Sequence, residues 1–421
     1  MRAQRLLFLA ATLPLLAAGT LFGATLPVLG PEIKVSLSTA DVQWNPRVAV
    51  FPDGGFVVAW NAQGRVGTGK TAVVVHARFF AADGSPASGE LLLGVTGTAP
   101  TLDGVAPIGN NRFVVAWDDN ATQVTRVMIQ LFNRAGKAVT GPLQVHADSR
   151  FARYLGVVAT DAGGNIVVGW GADLVQGTNY RNDAYTRIFS KNLMPLTGEM
   201  LTAMGSFSDG SGPFPDSIAL APDGSLAMSL TYAGDGVSVF VERLARDGSH
   251  LPLPDLYPEG TCCILNTYDS SLAMAADGSF LVAWDSMRPA DDTSVLPPLS
   301  PVAPIVGRLF AADGTAQGDD VITINRRQVG QLVAPVAAAL PGGGFVTAWQ
   351  DETGRDGSGF GIFGRLLGAD GTPAWRDFQI DATSGGAQIE PAIASGPGGA
   401  VVVWLSGAAT TVYARRVSAT Q

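Results

Sequence analysis

One eight-residue stretch returns along this chain. "DGGFVVAW" ends at Trp60, and close variants end at Trp117 ("NNRFVVAW"), Trp284 ("DGSFLVAW") and Trp349 ("GGGFVTAW"). Aligned on that last residue, the chain divides into seven units marked by Trp60, Trp117, Trp170, Leu230, Trp284, Trp349 and Trp404, spaced 53 to 65 residues apart. Only the fourth unit lacks its tryptophan. Self-similarity at such a period means one supersecondary unit repeated until neighbours cover each other's apolar faces.

Each unit has the same internal order. A short apolar run ("RVAVFP", 47–52; "SIALAP", 217–222) is followed by a Gly/Asp/Asn turn and the "FVVAW" run. A variable polar loop leads to a third run that ends before another turn, as in "ARFFAADG" (77–84), "ERLARDG" (242–248) and "GRLFAADG" (307–314). A fourth short run, such as "PLQVH" (142–146) or "DFQID" (377–381), closes the unit. Short β-branched and aromatic runs joined by Asp-Gly turns are hairpin strands. Four antiparallel strands per unit in seven units predict an all-β chain, a seven-bladed β-propeller. The ends test this expectation. The seventh unit stops at "VYARRVSATQ", after its third strand, while "PEIKVSL" (31–37) reads as a fourth strand placed before the first unit. Residues 31–37 are therefore expected to pair with 411–417 and to close the ring, making 31–421 one domain that has no open seam. A ring closed on itself in this way is expected to be a monomer.

The units "PDGGFVVAW…RFFAADG" and "PGGGFVTAWQDETGRDGSGFGIFGRLLGADG" resemble a repeat of exported bacterial β-propeller proteins, a family of mostly uncharacterised members, over essentially the whole chain after the leader. The resemblance implies the fold and export, and no particular chemistry. WD40 Gly-His and Trp-Asp signatures, the acidic metal loop of integrin-type propellers and the sialidase S-x-D-x-G-x-T-W box are all missing.

The leader "MRAQRLLFLAATLPLLAAGTLFGA" (1–24) has Arg2 and Arg5 ahead of an apolar run and small residues at 17–19, which reads as a Sec-type signal peptide cut between 19 and 24. An uncleaved anchor is the alternative. Cleavage would leave a periplasmic or extracellular protein, and no later run is long enough to span a membrane. Loss of the two arginines takes the net charge from −9 to −11, which argues against nucleic acid and anionic lipid as partners. The only cysteines, Cys262 and Cys263, are adjacent, so a bridge between them would be strained and the fold is not disulfide-stapled.

Residues present in every unit read as architecture. The tryptophans are expected to fill the space between blades. The recurrent third-strand arginines, Arg78, Arg187, Arg243, Arg308, Arg365 and Arg415, with Gln130 in the second unit, are expected to form a repeated inter-strand or inter-blade ion pair. Function is sought on the face that carries the longer loops, those after strands two and four. Three long loops, 203–216, 257–269 and 285–304, fall on adjacent units there, with Phe207, Phe214, Tyr257, Tyr268, Asp285 and Arg288 as ligand-binding candidates. No residue is assigned a catalytic role. Asp118, Asp285, Asp351, Glu352 and Glu390 are the carboxylates available to a glycosidase pair, which needs two of them about 5–10 Å apart. The loop "DETGRDGSG" (351–359) is rich in oxygen, which makes Asp351 and Asp356 calcium candidates, although it matches no known calcium loop; no other cofactor is expected. His76, His146 and His250 form neither a zinc spacing nor a triad.

Three functions remain open from the sequence: a binding module for a polysaccharide or a cell-surface protein, a glycan hydrolase with a carboxylate pair at the channel mouth, and a structural surface protein with no small ligand. The loop aromatics favour binding.

Overall fold

The computed structural model describes residues 26–419 apart from 39–41, 67–69, 96–98, 121–123, 148–151, 177–178, 209, 234–236, 255, 257–268, 287–303, 319–320, 328–329, 375, 383–384 and 408–410. The leader, Cys262, Cys263, Tyr257, Tyr268 and Arg288 lie outside the described residues. Every regular element among the described residues is a strand.

Seven antiparallel sheets stand in a ring, so the chain is a seven-bladed β-propeller. Within a blade the strands run in sequence order from the axis outward. Blade one, for example, is Gln43–Val50, Phe56–Val66, Lys70–Phe80 and Leu91–Leu93. The innermost strands of successive blades pack side by side around the axis, and that of blade seven (Gln388–Gly396) packs on that of blade one (Gln43–Val50). Blade four has three described strands, Gly212–Leu220, Leu226–Ala233 and Val237–Leu244. Its outer segment contains Pro252 and Pro254, which cannot donate to a ladder.

Hairpin chemistry accounts for the strands. In the turn 80–85, Gly84 adopts φ 87°, open to glycine at no steric cost, and its N–H donates to the Ala81 carbonyl at 2.9 Å. The Asp83 carboxylate accepts from both the backbone N–H (2.8 Å) and the hydroxyl (2.6 Å) of Ser85. The same Asp–Ser pairing recurs at Asp223, Asp247 and Asp277.

Ring closure is as the two chain ends predict, and longer. Ile33 and Lys34 pair with Ala414 and Tyr413, and an additional stretch, Pro27–Leu29, pairs with Val417–Ala419. The N-terminal strand thus begins before residue 31 and completes blade seven.

Each apolar cluster joins two adjacent blades, which explains the repeated tryptophan. Trp60, Trp117, Trp170, Trp284, Trp349 and Trp404 are all 0 % exposed, each packed among side chains of its own blade and the preceding one. Leu230 holds the same place in blade four.

The arginines behave differently from the expected ion pairs. Arg78, Arg187, Arg308, Arg365 and Arg415 each donate from Nη1 to a backbone carbonyl of the preceding blade's outer segment: Val35, Val145, Leu256, Ile324 and Ile380, at 2.7–3.0 Å. Those carbonyls are buried and need a donor, and a guanidinium can bridge blades through them; of the expected ion pairs one is present among the described residues, Arg365 to Asp377 of its own blade at 4.0 Å. Arg243 does not belong to the set. Arg78, Arg308, Arg365 and Arg415 lie opposite the residue two before their tryptophan, but that place in blade four pairs Met228 with Glu242. Arg243, one residue on, faces the other way and donates to the Ala312 and Asp313 carbonyls of blade five.

Candidate functional site

Six of the seven innermost strands break register near their first residues; that of blade five (Ser270–Met274) pairs without a break. In blades one, three, six and seven two residues oppose the single tryptophan: the break falls between Trp44 and Arg47, Tyr154 and Val157, Val333 and Val336, and Ile389 and Ala392. Blade two breaks between Leu102 and Gly104, and blade four between Pro215 and Ser217. Such a bulge bends the strand and re-aims its side chains. The backbone is left-handed at Asn45, Asp269, Ala334 and Glu390, with φ of 49–53°, a conformation that costs a residue such as Ala334 about 1–2 kcal/mol. A bulge or a left-handed residue thus stands at the start of each innermost strand, at the end of the channel facing the longer loops.

The seven innermost strands line a central channel of about 720 Å³. Among the described residues its bulged end carries one cation, Arg47, whose Nε donates to the Asp103 carbonyl of blade two at 2.7 Å. Carboxyls surround it. Glu390 is exposed, and its Oε2 accepts from the Asn45 N–H at 2.9 Å. Asp103 and Asp216 occupy equivalent bulge positions in blades two and four. Burial and the adjacent Asp118 carboxyl hold Asp103 well above the ordinary carboxylate range. Asp216 is pushed up to about 7 by burial, against hydrogen bonds to its Oδ2 from the hydroxyls of Ser270 (2.6 Å) and Thr231 (2.7 Å). Burial also raises Asp269 on the neighbouring blade. Ser217, Ser270 and Ser271 add hydroxyls to the same arc. The inner-strand position opposite the residue that follows the tryptophan, or Leu230 in blade four, is aromatic in three blades: Trp44, Tyr154 and Phe214 are half-buried, and the Tyr154 and Phe214 rings lie 5.9 Å apart.

Of the acids marked by sequence, only Glu390 borders the channel. Asp118, Asp285 and Asp351 are buried at the ends of second strands, which run one or two residues beyond the tryptophan. Asp351 is ion-paired to Arg355 Nε at 2.6 Å and accepts from Thr353 N–H at 2.9 Å, so a cation already stands in the oxygen-rich loop. Glu352 accepts from Gln350 Nε2 at 3.1 Å, and Asp356 Oδ1 accepts from Ser358 N–H at 3.1 Å. No group of three or more metal-ligating side chains occurs among the described residues. Phe207 lies away from the channel lining, its ring 4.4 Å from the Arg181 guanidinium carbon. Phe214 and Asp285 are on adjacent blades, the first half-buried beside the mouth and the second inside its blade. The residues that sequence reasoning missed are Arg47, Asp103 and Asp216, on innermost strands, and Asp269, just before one. A proline inside a strand pattern marks the bulges at Arg47 ("NPR") and Asp216 ("FPD"), and those of blades six ("APV") and seven ("EPA"), whereas nothing of the kind marks Asp103 or Asp269.

No protein-family model matches the chain, and no curated protein matches it. Solved structures resemble it in shape. They include a protein of unknown function from Dyadobacter fermentans (13 % identity, 83 % of this chain and 97 % of that one, TM-score 0.47). An α-L-arabinofuranosidase of Fusarium graminearum in complex with an iminosugar inhibitor gives 9 % identity over 94 % and 97 %, TM-score 0.48. The Hadza microbial sialidase Hz136 gives 10 % over 87 % and 74 %, TM-score 0.47. At these scores the strand pairing, not the likeness, establishes the propeller. No helix among the described residues is long and apolar enough to cross a membrane.

Proposed function

We propose that this chain is an exported binding propeller that holds a neutral polysaccharide at the bulged mouth of its channel. The mouth offers what a sugar chain uses: hydroxyls and carboxyls that both donate and accept, one guanidinium, and half-buried aromatic rings beside them. What supports binding over catalysis is the common direction of the three shifted acids at the mouth. A glycosidase needs one carboxyl kept protonated and a second kept ionised. Asp103, Asp216 and Asp269 are all displaced upward, and burial is the leading cause for each.

Hydrolysis is the second reading, favoured by one fact: a carboxyl at about 7, as in Asp216, suits a general acid near neutral pH. A panel of polysaccharides passed over the immobilised chain separates the two. Retention with no new reducing ends supports binding. New reducing ends that disappear in Asp216→Asn would replace binding with hydrolysis.

A further inference from the structure

The junction of blades three and four departs from its counterparts at two places that face the same gap. The second-strand tryptophan that packs on the preceding blade is Leu230 here. The third-strand arginine that reaches the preceding blade in five others is Glu242 here. Beside these two residues opens a cavity of about 420 Å³, within the range of small-molecule sites. One wall is the outer strand of blade three, with Leu201 (40 % exposed) and Met204 (57 %). The opposite wall is Tyr232 and Phe240, edge to face with centroids 5.7 Å apart. Glu242 closes one end, its Oε2 3.1 Å from His250 Nδ1.

The repeat itself says what would fit. In blades one, three and seven an indole lies against the third-strand ring opposite it, at 5.7 Å (Trp60–His76), 6.0 Å (Trp170–Tyr185) and 6.1 Å (Trp404–Tyr413). Phe240 is the ring at that place in blade four, and it has Leu230 opposite instead of an indole. The arginine in the other blades supplies a cation to the same seam, and here an acid takes its place. A missing indole together with a cation replaced by an anion defines a complement: a flat aromatic ring bearing a positive charge. Scattered surface apolar residues would show neither the ring-sized vacancy nor the charge inversion. We propose that this cleft binds a free small-molecule aromatic amine, its ring between Phe240 and the Leu201–Met204 strand and its ammonium at Glu242. The site is separate from the channel and does not depend on the reading of the mouth.

Saturation-transfer NMR with tryptamine, indole and indole-3-acetate on the full chain tests it. Tryptamine should bind best and indole-3-acetate worst. Glu242→Gln should cost tryptamine about fivefold, the scale of one partly exposed charge pair, and leave indole unchanged. Leu230→Trp should fill the cleft from within, abolish binding of all three and raise the melting temperature. Absence of transfer from every probe at millimolar concentration, or equal ranking of the amine and the acid, would overturn the proposal. So would undiminished tryptamine binding in a folded Leu230→Trp chain. If that variant does not fold, Phe240→Ala, on the exposed wall, gives the same reading by loss of indole and tryptamine together.

Discussion

Replacing Asp216 by asparagine should stabilise the propeller by an amount that grows as pH rises from about 4 and levels off above about 7. The Asp216 pKa stands at about 7 against an ordinary 3.8. The sign follows from proton counts. Between those two values the native state holds a proton that the unfolded chain has released, so stability falls as pH rises through the interval and is lowest above it. At about 1.4 kcal/mol per pH unit, the ionised carboxyl costs roughly 4 kcal/mol at pH 8, an upper figure because water can reach part of the channel wall. Asparagine keeps an oxygen to accept from Ser270 and Thr231 and cannot ionise. With an unfolding entropy of about 2.1 cal/mol/K per residue, that energy corresponds to a melting temperature about 5 °C higher at pH 8. At pH 4 the two proteins should melt within about a degree of each other, since the wild-type carboxyl is then protonated as well. Thermal melts of both chains across pH 4–8 check this. A difference that is constant with pH, or that grows toward acid, would refute burial as the cause of the shift.

Trp284→Ala should cost about 3–5 kcal/mol because it empties a fully buried position between blades four and five, read as a lower denaturant midpoint. A stable variant with altered ligand retention would instead make that tryptophan a contact residue. Deleting residues 26–35 removes the outer strand of blade seven and should eliminate most of the stability, and an unchanged melting temperature would disprove closure by the N-terminal strand. Arg365→Met strands the buried Ile324 and Ala374 carbonyls, bonded at 2.7 and 2.8 Å, and should lower stability by about 2–3 kcal/mol.

The blades were legible because tryptophan spacing and Asp-Gly turns report the same period through independent physics, packing on one hand and backbone conformation on the other. The closure was legible from a missing strand at one end and a spare one at the other. Residue roles were less so. The "ERLARDG" segment has one residue fewer between its arginine and its turn than "GRLFAADG", and that single residue moves Arg243 to the opposite face and brings Glu242 to the arginine's place. Asp118, Asp285 and Asp351 read as loop acids because they follow the tryptophan, whereas the strand continues through them into the blade. The mouth residues were hidden for a different reason. Asp103 and Asp216 lie within inner strands, and only the bulge makes their side chains part of the channel wall.

The most direct test of the account is a calorimetric titration of a retained polysaccharide against the wild-type chain and Arg47→Gln, with recovery of the polymer afterwards. The account predicts one site per chain, at least tenfold weaker in Arg47→Gln, and polymer of unchanged length. Equal affinity in the variant would move the ligand away from the channel mouth, and shortened polymer would make the protein a hydrolase.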